Sequence, residues 1–172
     1  SGTIGNIIGN FIRNTASYGG GAIHNYGKIG DIKGDFIGNS GSEGGVIYNY
    51  SGGTIGNIKG DFIGNTSSYT AGAIHNSSGT IGDITGDFIG NTASSAGGAI
   101  YNSGGTIGDV TGNFIGNSST TYNGGAIYND YNGTIGDITG NFIGNTASSN
   151  GGAIYNYNST IGNITGDFIG NT

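Results

Sequence analysis

The sequence lacks several residue types altogether, and the absences narrow what the chain can be. Its 172 residues include no cysteine, proline, methionine or tryptophan. Without cysteine, the chain can form neither disulfide bonds nor thiolate metal sites. No run of about 18 apolar residues occurs, so we expect no transmembrane segment.

Charged residues are scarce and unevenly placed. Only 8% of the residues are charged, and the formal net charge is −6. The basic residues all fall within the first 60 positions: Arg13, Lys28, Lys33 and Lys59. Residues 61–172 carry acidic side chains and no basic one. Because such a surface repels phosphate backbones, we expect no nucleic-acid partner.

What the sequence has in abundance is glycine and a regular repeat. Glycine accounts for 41 residues, and the apolar fraction is only 33%, which argues against a large globular core. The phenylalanines recur at steps of 25, 26, 26, 26, 28 and 26 residues. The repeating unit is T-I-G-[DN]-I-x-G-[DN]-F-I-G-N-[TS], a Ser/Thr/Gly-rich connector, G-G-A-I-[YH]-N and a short linker. Internal periodicity of this length is typical of solenoids.

The unit predicts short strands rather than helices. Its apolar segments are rich in isoleucine and phenylalanine and are bounded by glycine, asparagine and aspartate. We therefore predict an all-β fold, a parallel β-helix (β-solenoid) with about 26 residues and three short strands per coil, in six to seven coils. One coil cannot bury its own apolar face, so stacking of coils would supply the core.

Stacking would place equivalent residues above one another in columns. We predict an internal aromatic column formed by Phe11, Phe36, Phe62, Phe88, Phe114, Phe142 and Phe168. We predict an amide ladder at a turn, formed by Asn14, Asn39, Asn65, Asn91, Asn117, Asn145 and Asn171. Asparagine suits such a position because it tolerates left-handed backbone and its amide can bond to the next coil.

Two further columns are candidates for a contact surface. The first is the isoleucine that follows each phenylalanine, notably Ile37, Ile63, Ile89, Ile115 and Ile143. Simple alternation along a strand turns these side chains outward, whereas a bend would turn them inward with the phenylalanine. The second column holds Tyr48, Tyr101, Tyr128 and Tyr155, with His24 and His75 at the same position in other units. Tyrosine is a favourable contact residue for proteins and glycans.

Repeated acidic residues are the first candidates for catalysis or metal binding, since Tyr48 would lie between His24 and His75 and keep them from sharing a metal ion. Pairs such as Asp31/Asp35 and Asp83/Asp87 have the spacing of paired carboxylates. Asparagine replaces one or both members in the other units, whereas a catalytic pair would occur once. We therefore expect no catalytic residues, no metal site and no cofactor.

Two motifs in fixed order resemble a known family. GGAI stands at 20–23, 97–100, 124–127 and 151–154, and F-x-x-N stands in all seven units. This pairing resembles the repeats of chlamydial polymorphic outer-membrane proteins and related bacterial autotransporter-type surface proteins. The resemblance implies a right-handed β-helix displayed outside the cell and involved in adhesion.

From these observations we predict one repetitive β-solenoid segment over residues 1–172, part of a longer chain. Its function would be non-enzymatic: an extracellular structural or adhesive segment, a rigid stalk or fibre at a bacterial surface. Partners would be further coils of the same chain or other copies, end to end or laterally, and a surface protein or glycan. The alternatives are a β-helical polysaccharide-active enzyme or glycan-binding module, and, with less support, an ice-binding protein with threonine ladders.

Overall fold

The computed structural model of the protein describes residues 2–172. These residues form 32 strands of two to four residues each. The strands pair in parallel with their equivalents one coil before and one coil after, for example Phe62 with Phe36 and Phe88. The predicted all-β parallel solenoid is thereby confirmed, with about six turns.

The strands belong to five sheets that run along the solenoid. The first sheet contains Thr3–Ile4, Lys28–Ile29, Thr54–Ile55, Thr80–Ile81, Thr106–Ile107, Thr134–Ile135 and Thr160–Ile161. The second contains Ile7–Ile8, Ile32–Lys33, Ile58–Lys59, Ile84–Thr85, Val110–Thr111, Ile138–Thr139 and Ile164–Thr165. The third contains Phe11–Ile12, Phe36–Ile37, Phe62–Ile63, Phe88–Ile89, Phe114–Ile115, Phe142–Ile143 and Phe168–Ile169. The fourth contains Ser40–Gly41, Thr66–Ser67, Thr92–Ala93, Ser118–Ser119 and Thr146–Ala147. The fifth contains Ile23–Asn25, Ile47–Tyr50, Ile74–Ser77, Ile100–Ser103, Ile127–Asp130 and Ile154–Asn156.

The prediction of three strands per coil is wrong, because a full coil contains five. Glycines divide the first half of the unit into three strands of two residues each instead of longer ones. The connector adds a further strand, although its serine and threonine content is typical of a loop. These hydroxyl residues pair through their backbones, which the side-chain pattern alone does not reveal.

Glycine is required where the backbone of one coil passes close to the next. Gly86 separates the second and third strands of its coil and has a φ of +152°. A side chain added there would collide with the backbone carbonyl oxygen of Gly60 in the preceding coil. The glycine therefore permits both the bend and the close stacking of coils.

The interior is a stack of identical apolar layers. Phe36, Phe62, Phe88, Phe114 and Phe142 are fully buried. Their neighbouring ring centroids lie 4.4–4.8 Å apart, with ring planes within 8° of parallel. Isoleucines of the first, second and fifth sheets fill the rest of the core. Burial of each such side chain contributes roughly 1.5–3 kcal/mol, so the layers supply the main stabilisation of the rod.

Candidate functional site

The asparagine that ends the F-I-G-N motif forms a fully bonded ladder. The side-chain nitrogen of Asn91 donates to Oδ1 of Asn117 at 3.0 Å and to the carbonyl oxygen of Phe62 at 2.9 Å. The Oδ1 atom of Asn91 in turn accepts from the backbone and side-chain nitrogens of Asn65. Both donors and both acceptor positions of the amide are used, and Asn91 is 0% exposed.

A second buried amide ladder follows the A-I-[YH] segment, and the sequence reasoning missed it. Its members are Asn25, Asn49, Asn76, Asn102, Asn129 and Asn156. Asn76 donates to Oδ1 of Asn102 at 2.9 Å and to the carbonyl oxygen of Gly79 at 3.1 Å. The signal was present in the sequence, since every unit with this segment has asparagine at the position.

The acidic pairs have a structural use. In every coil but the last, Oδ1 of each of these side chains accepts from a backbone N–H of the next coil, as Asp83 Oδ1 does from Asp109 at 3.0 Å. Asn57 performs the same role for Asp83 at 2.9 Å. Since only an acceptor is needed, aspartate and asparagine are interchangeable there. The side chains form two columns that are exposed or half-buried along the rod.

The isoleucines that follow the phenylalanines lie on the outer face of the third sheet. Ile37, Ile63, Ile89, Ile115 and Ile143 are half-buried and lie outside the apolar core. They are half-buried because each isoleucine stacks on its equivalents in the neighbouring coils, as Ile63 is in register with Ile37 and Ile89. The side chains therefore point outward, as simple alternation along the strand predicts, and the column forms a continuous apolar stripe.

The histidines and tyrosines of the fifth sheet form one outer aromatic column. Its members are His24, Tyr48, His75, Tyr101, Tyr128 and Tyr155, with neighbouring ring centroids 4.7–4.9 Å apart. Tyr48 separates the two histidines. Connector residues cover parts of the column, so that Tyr128 is only 7% exposed. Burial raises the pKa of Tyr48 to about 12.

The column is covered at His75 by two residues of neighbouring connectors. The Nδ1 atom of His75 lies 3.0 Å from Oγ1 of Thr70 and 3.5 Å from Oε2 of Glu43. The hydrogen bond with His75 lowers the pKa of the Glu43 carboxyl below its ordinary value. Thr70 also donates toward Glu43, so the three side chains link two successive coils.

Asp130 is the most unusual side chain of the fifth sheet. It ends the strand Ile127–Asp130 in register with Ser103, and it is only 4% exposed. Its Oδ2 atom accepts from the Tyr101 hydroxyl at 3.2 Å, whereas its buried Oδ1 atom has no hydrogen-bond partner. Burial raises the pKa of the Asp130 carboxyl. A buried carboxylate with one unpartnered oxygen is costly to keep charged.

Asp130 lies in the wall of a surface groove, which we call the tyrosine groove. The groove has a volume of about 830 Å³ and is lined by Tyr122, Tyr128, Asp130, Tyr131, Asn132, Tyr155, Tyr157 and Asn158. A smaller neighbouring depression shares Tyr122, Tyr128, Asp130 and Tyr131 and extends toward Tyr69. Five tyrosines and one carboxylate thus converge on a single concave surface.

The rim of the tyrosine groove has an uncommon backbone. Tyr131 has a φ of +52° and Asn132 a φ of +63°, both in the left-handed region. Gly104 occupies the position equivalent to Tyr131 in the preceding coil, with a φ of +63°. A large aromatic residue is disfavoured in this conformation, yet Tyr131 remains 73% exposed at the groove rim.

Sequence reasoning did not predict the tyrosine groove, because its members occupy different repeat positions. Tyr122 belongs to a connector, Asp130 to a strand end and Tyr131 to a linker turn. Their common signal is departure from the repeat, since the equivalents of Asp130 in the two preceding coils are serines 77 and 103. Tyr128 and Tyr155 were predicted as contact residues, and the structure places both in this groove.

Two kinds of functional element are not found in residues 2–172. No group of three or more histidine, cysteine, aspartate or glutamate side chains there is arranged to hold a metal ion. No helix in that range is long and apolar enough to cross a membrane.

Comparison with protein families gives one match. The model described as the Chlamydia polymorphic membrane protein repeat matches at residues 9–26, 86–103, 111–130 and 139–157. No curated protein and no solved structure matches the chain. Each of the four matched segments runs from the third sheet through the connector into the fifth sheet. Four segments of the chain therefore match the Chlamydia polymorphic membrane protein repeat, as the GGAI and F-x-x-N motifs predicted.

Proposed function

We propose that this chain is a non-enzymatic structural and adhesive segment displayed at a bacterial cell surface. The observation that carries the proposal is the continuity of its columns. The phenylalanine stack and both amide ladders pass from coil to coil without interruption by an inserted domain or long loop. Such a rod is suited to holding a binding surface away from a membrane, and four of its segments match the Chlamydia polymorphic membrane protein repeat.

An adhesive role is supported by the side chains that the rod presents. Exposed tyrosines project from several coils: Tyr18, Tyr26, Tyr50, Tyr69, Tyr122, Tyr131 and Tyr157. Tyrosine provides large contact area with little loss of side-chain entropy. The isoleucine stripe of the third sheet adds an apolar surface for a lateral partner.

The role of the acidic columns favours this function over a polysaccharide-active enzyme. Their oxygens bond to backbone N–H groups at every coil, as Asp87 Oδ1 does to the Asn113 nitrogen at 2.7 Å. A carboxylate used in this way supports the backbone of the next coil. The glycan-binding alternative would place a sugar in the tyrosine groove, against its tyrosine rings and asparagine amides.

Surface display and adhesion are tested separately. For display, an antibody raised against the purified chain is applied to intact and to permeabilised cells of the producing bacterium. Labelling of intact cells is expected, whereas labelling that requires permeabilisation would overturn the surface assignment. For adhesion, beads coated with the chain are compared with albumin-coated beads for retention on cultured cells. Equal retention would overturn the adhesive role.

We also propose that the end coils are covered by further coils, either of the same chain or of a second copy. Ile4 in the first coil is 54% exposed and Phe168 in the last is 52% exposed, whereas their partners in the adjacent coils, Ile29 and Phe142, are buried. Unpaired parallel strand edges favour end-to-end addition. Sedimentation velocity across a hundredfold concentration range tests stacking of copies, which would appear as a rising sedimentation coefficient.

A second candidate function, ice binding, is favoured by one observation. Thr80, Thr106, Thr134 and Thr160 form an exposed column on the first sheet. A second exposed column on the second sheet contains Thr85, Thr111, Thr139 and Thr165. Thermal hysteresis of the purified chain tests this function directly, and its absence at millimolar concentration would remove the candidate.

A further inference from the structure

We propose that the tyrosine groove binds an alkylammonium cation, with the aromatic rings of Tyr122, Tyr128 and Tyr155 and the carboxylate of Asp130 as its recognition elements. The proposal names the ligand class of one site on the adhesive surface and in that respect rests on the proposed function. Binding of the isolated cation can nevertheless be measured without any cell.

The first step of the inference concerns the aromatic faces. The ring centroids of Tyr122 and Tyr128 lie 6.3 Å apart, and those of Tyr128 and Tyr155 lie 4.9 Å apart. Tyr157 extends the series, with its centroid 6.3 Å from that of Tyr155. The π-faces of tyrosine attract ammonium groups within about 6 Å of the ring centroid. Several rings around one groove therefore suit a cation.

The second step concerns charge. Asp130 is buried in the groove wall, and Oδ1 has no partner among the side chains and backbone around it. The groups close to it are the neutral hydroxyls of Tyr101, Tyr128 and Ser103, with His75 farther along the column. No lysine or arginine follows Lys59 in the chain, so no fixed cation balances this carboxylate. A cation in the groove would supply the missing opposite charge.

The third step distinguishes a cation from a neutral sugar. A sugar also stacks on tyrosine and hydrogen-bonds to polar side chains, and Asn132 and Asn158 line the same groove. A sugar hydroxyl can donate to an asparagine amide oxygen as well as to a carboxylate. An ammonium group gains from the charge itself. The fold does not require the carboxylate, because serine stands in register with Asp130 in the preceding coil.

The probe is choline, and its control is 3,3-dimethylbutan-1-ol, a neutral molecule of the same shape. Proton NMR of the choline methyl groups follows binding, since protons over aromatic faces shift upfield. We expect saturable binding with a Kd of about 1–10 mM, because cation–π contacts at partly exposed sites are individually weak. The neutral analogue should bind at least about tenfold more weakly. N-acetyl-lysinamide and spermidine, as further arms, separate a protein lysine from a free polyamine as the source of the ammonium group.

Variants test each recognition element. Asp130→Asn should weaken choline binding at least about tenfold, because it removes the charge and keeps the shape. Asp137→Asn removes the same charge from an exposed acidic column, between the strands Thr134–Ile135 and Ile138–Thr139, and should leave binding unchanged. Tyr122→Leu should weaken binding several-fold, whereas Tyr122→Phe should retain it. Tyr18→Leu, far from the groove in the sequence and 87% exposed, is the control for loss of a surface tyrosine.

The outcomes separate this proposal from the proposed function. Equal binding of choline and its neutral analogue, or choline binding that survives Asp130→Asn, would overturn the cation assignment. Binding of a neutral oligosaccharide such as cellotetraose that survives Asp130→Asn would instead make the groove a glycan site. No saturation by any of the three amines at 100 mM would also overturn it. Retention of chain-coated beads on cells would in that case leave the adhesive role intact. Unchanged circular dichroism of each variant excludes unfolding as the cause.

Discussion

At the scale of single residues, the need for a hydrogen-bond donor decides which columns tolerate exchange. In the two acidic columns, side-chain oxygens only have to accept from a backbone N–H, and both aspartate and asparagine occur. In the F-I-G-N ladder, each side chain of the inner coils donates twice and accepts twice, and all seven residues are asparagine. The residue choice in each column thus follows from the bonds that the column makes.

This difference predicts opposite responses to the same substitution. Asn91→Asp should cost more than about 3 kcal/mol of unfolding free energy, because the new carboxylate would face the carbonyl oxygen of Phe62 and Oδ1 of Asn117. Asn141→Asp should cost less than about 1 kcal/mol, because only its Oδ1 atom is used, as an acceptor from the Asp167 nitrogen. Urea unfolding followed by circular dichroism measures both. Similar losses in the two variants would contradict the donor requirement.

Asp130 predicts a pH-dependent gain of stability on substitution. Because burial raises the pKa of the Asp130 carboxyl, the folded state binds a proton at this carboxyl more tightly than the unfolded state does. The contribution of Asp130 to stability therefore falls as pH rises above its ordinary pKa of 3.8. Asp130→Ser, which copies the preceding coil, should raise the unfolding free energy by about 1 kcal/mol at pH 7. The gain should shrink as the pH is lowered toward 4.

The matched control for this prediction is Asp137→Ser, a substitution in an exposed column. It should bring no stability gain at pH 7, because the Asp137 carboxylate is solvated and accepts from the Asn163 nitrogen. Thermal unfolding of both variants between pH 4 and pH 7 makes the comparison. A loss of stability in Asp130→Ser at pH 7 would mean that the bond from Tyr101 outweighs the burial of the charge.

At the scale of elements, two glycines of one coil allow the cost of a steric clash to be compared with the cost of left-handed backbone alone. Gly86 has a φ of +152° and stands against the Gly60 carbonyl oxygen, whereas Gly90 has a φ of +62° and open space around it. Gly86→Ala should destabilise the rod by more than about 3 kcal/mol, because neighbouring coils would have to separate. Gly90→Ala should cost only about 1 kcal/mol, from left-handed backbone alone. Chemical denaturation of the two variants gives the ratio, and equal costs would show that strain dominates at both sites.

The elements that the sequence predicted well are those that repeat. The phenylalanine and F-I-G-N positions recur in every unit, so their stacking followed from the period alone. The strand count was missed because two-residue strands leave no alternation of apolar and polar residues to read. The fourth sheet was missed because serine and threonine there resemble a loop.

The tyrosine groove could not be predicted from the repeat pattern, for a physical reason. Its wall combines residues of a connector, a strand end and a linker turn, and their proximity depends on how the connector folds against the column. A residue such as Asp130 carries a signal only as an exception to its column. Comparing each residue with its equivalents one coil away would have singled it out. Its burial and its unpartnered oxygen, however, are visible only in the three-dimensional structure.

At the scale of the whole molecule, the rod is a one-dimensional assembly. Each strand pairs only with its equivalents one coil away, as Ile55 does with Ile29 and Ile81. Stability is then approximately a sum of coil terms and interfaces between neighbouring coils. The position of a coil matters less than the register between the coils on either side of it.

Register therefore predicts that one whole coil is dispensable. Deletion of residues 55–80 joins Thr54 to Ile81 and restores the T-I-G sequence in register, since Ile55 and Ile81 are Cα partners. The shortened chain should fold, with the same strand content by circular dichroism and a length reduced by about 4.8 Å in small-angle scattering. Its urea midpoint should fall only modestly, because one interface between coils is lost.

The control is a deletion of half that length, residues 55–67. It joins Thr54 to Ser68 and brings Ser68 and Tyr69 to the positions that isoleucine and glycine fill in every other coil. A shift of this kind places polar side chains in the core, so this chain should lose its cooperative unfolding transition. If the two deletions unfold alike, coil identity matters beyond register, and the rod is not a sum of exchangeable coils. If only the shorter deletion unfolds, register alone holds the solenoid together.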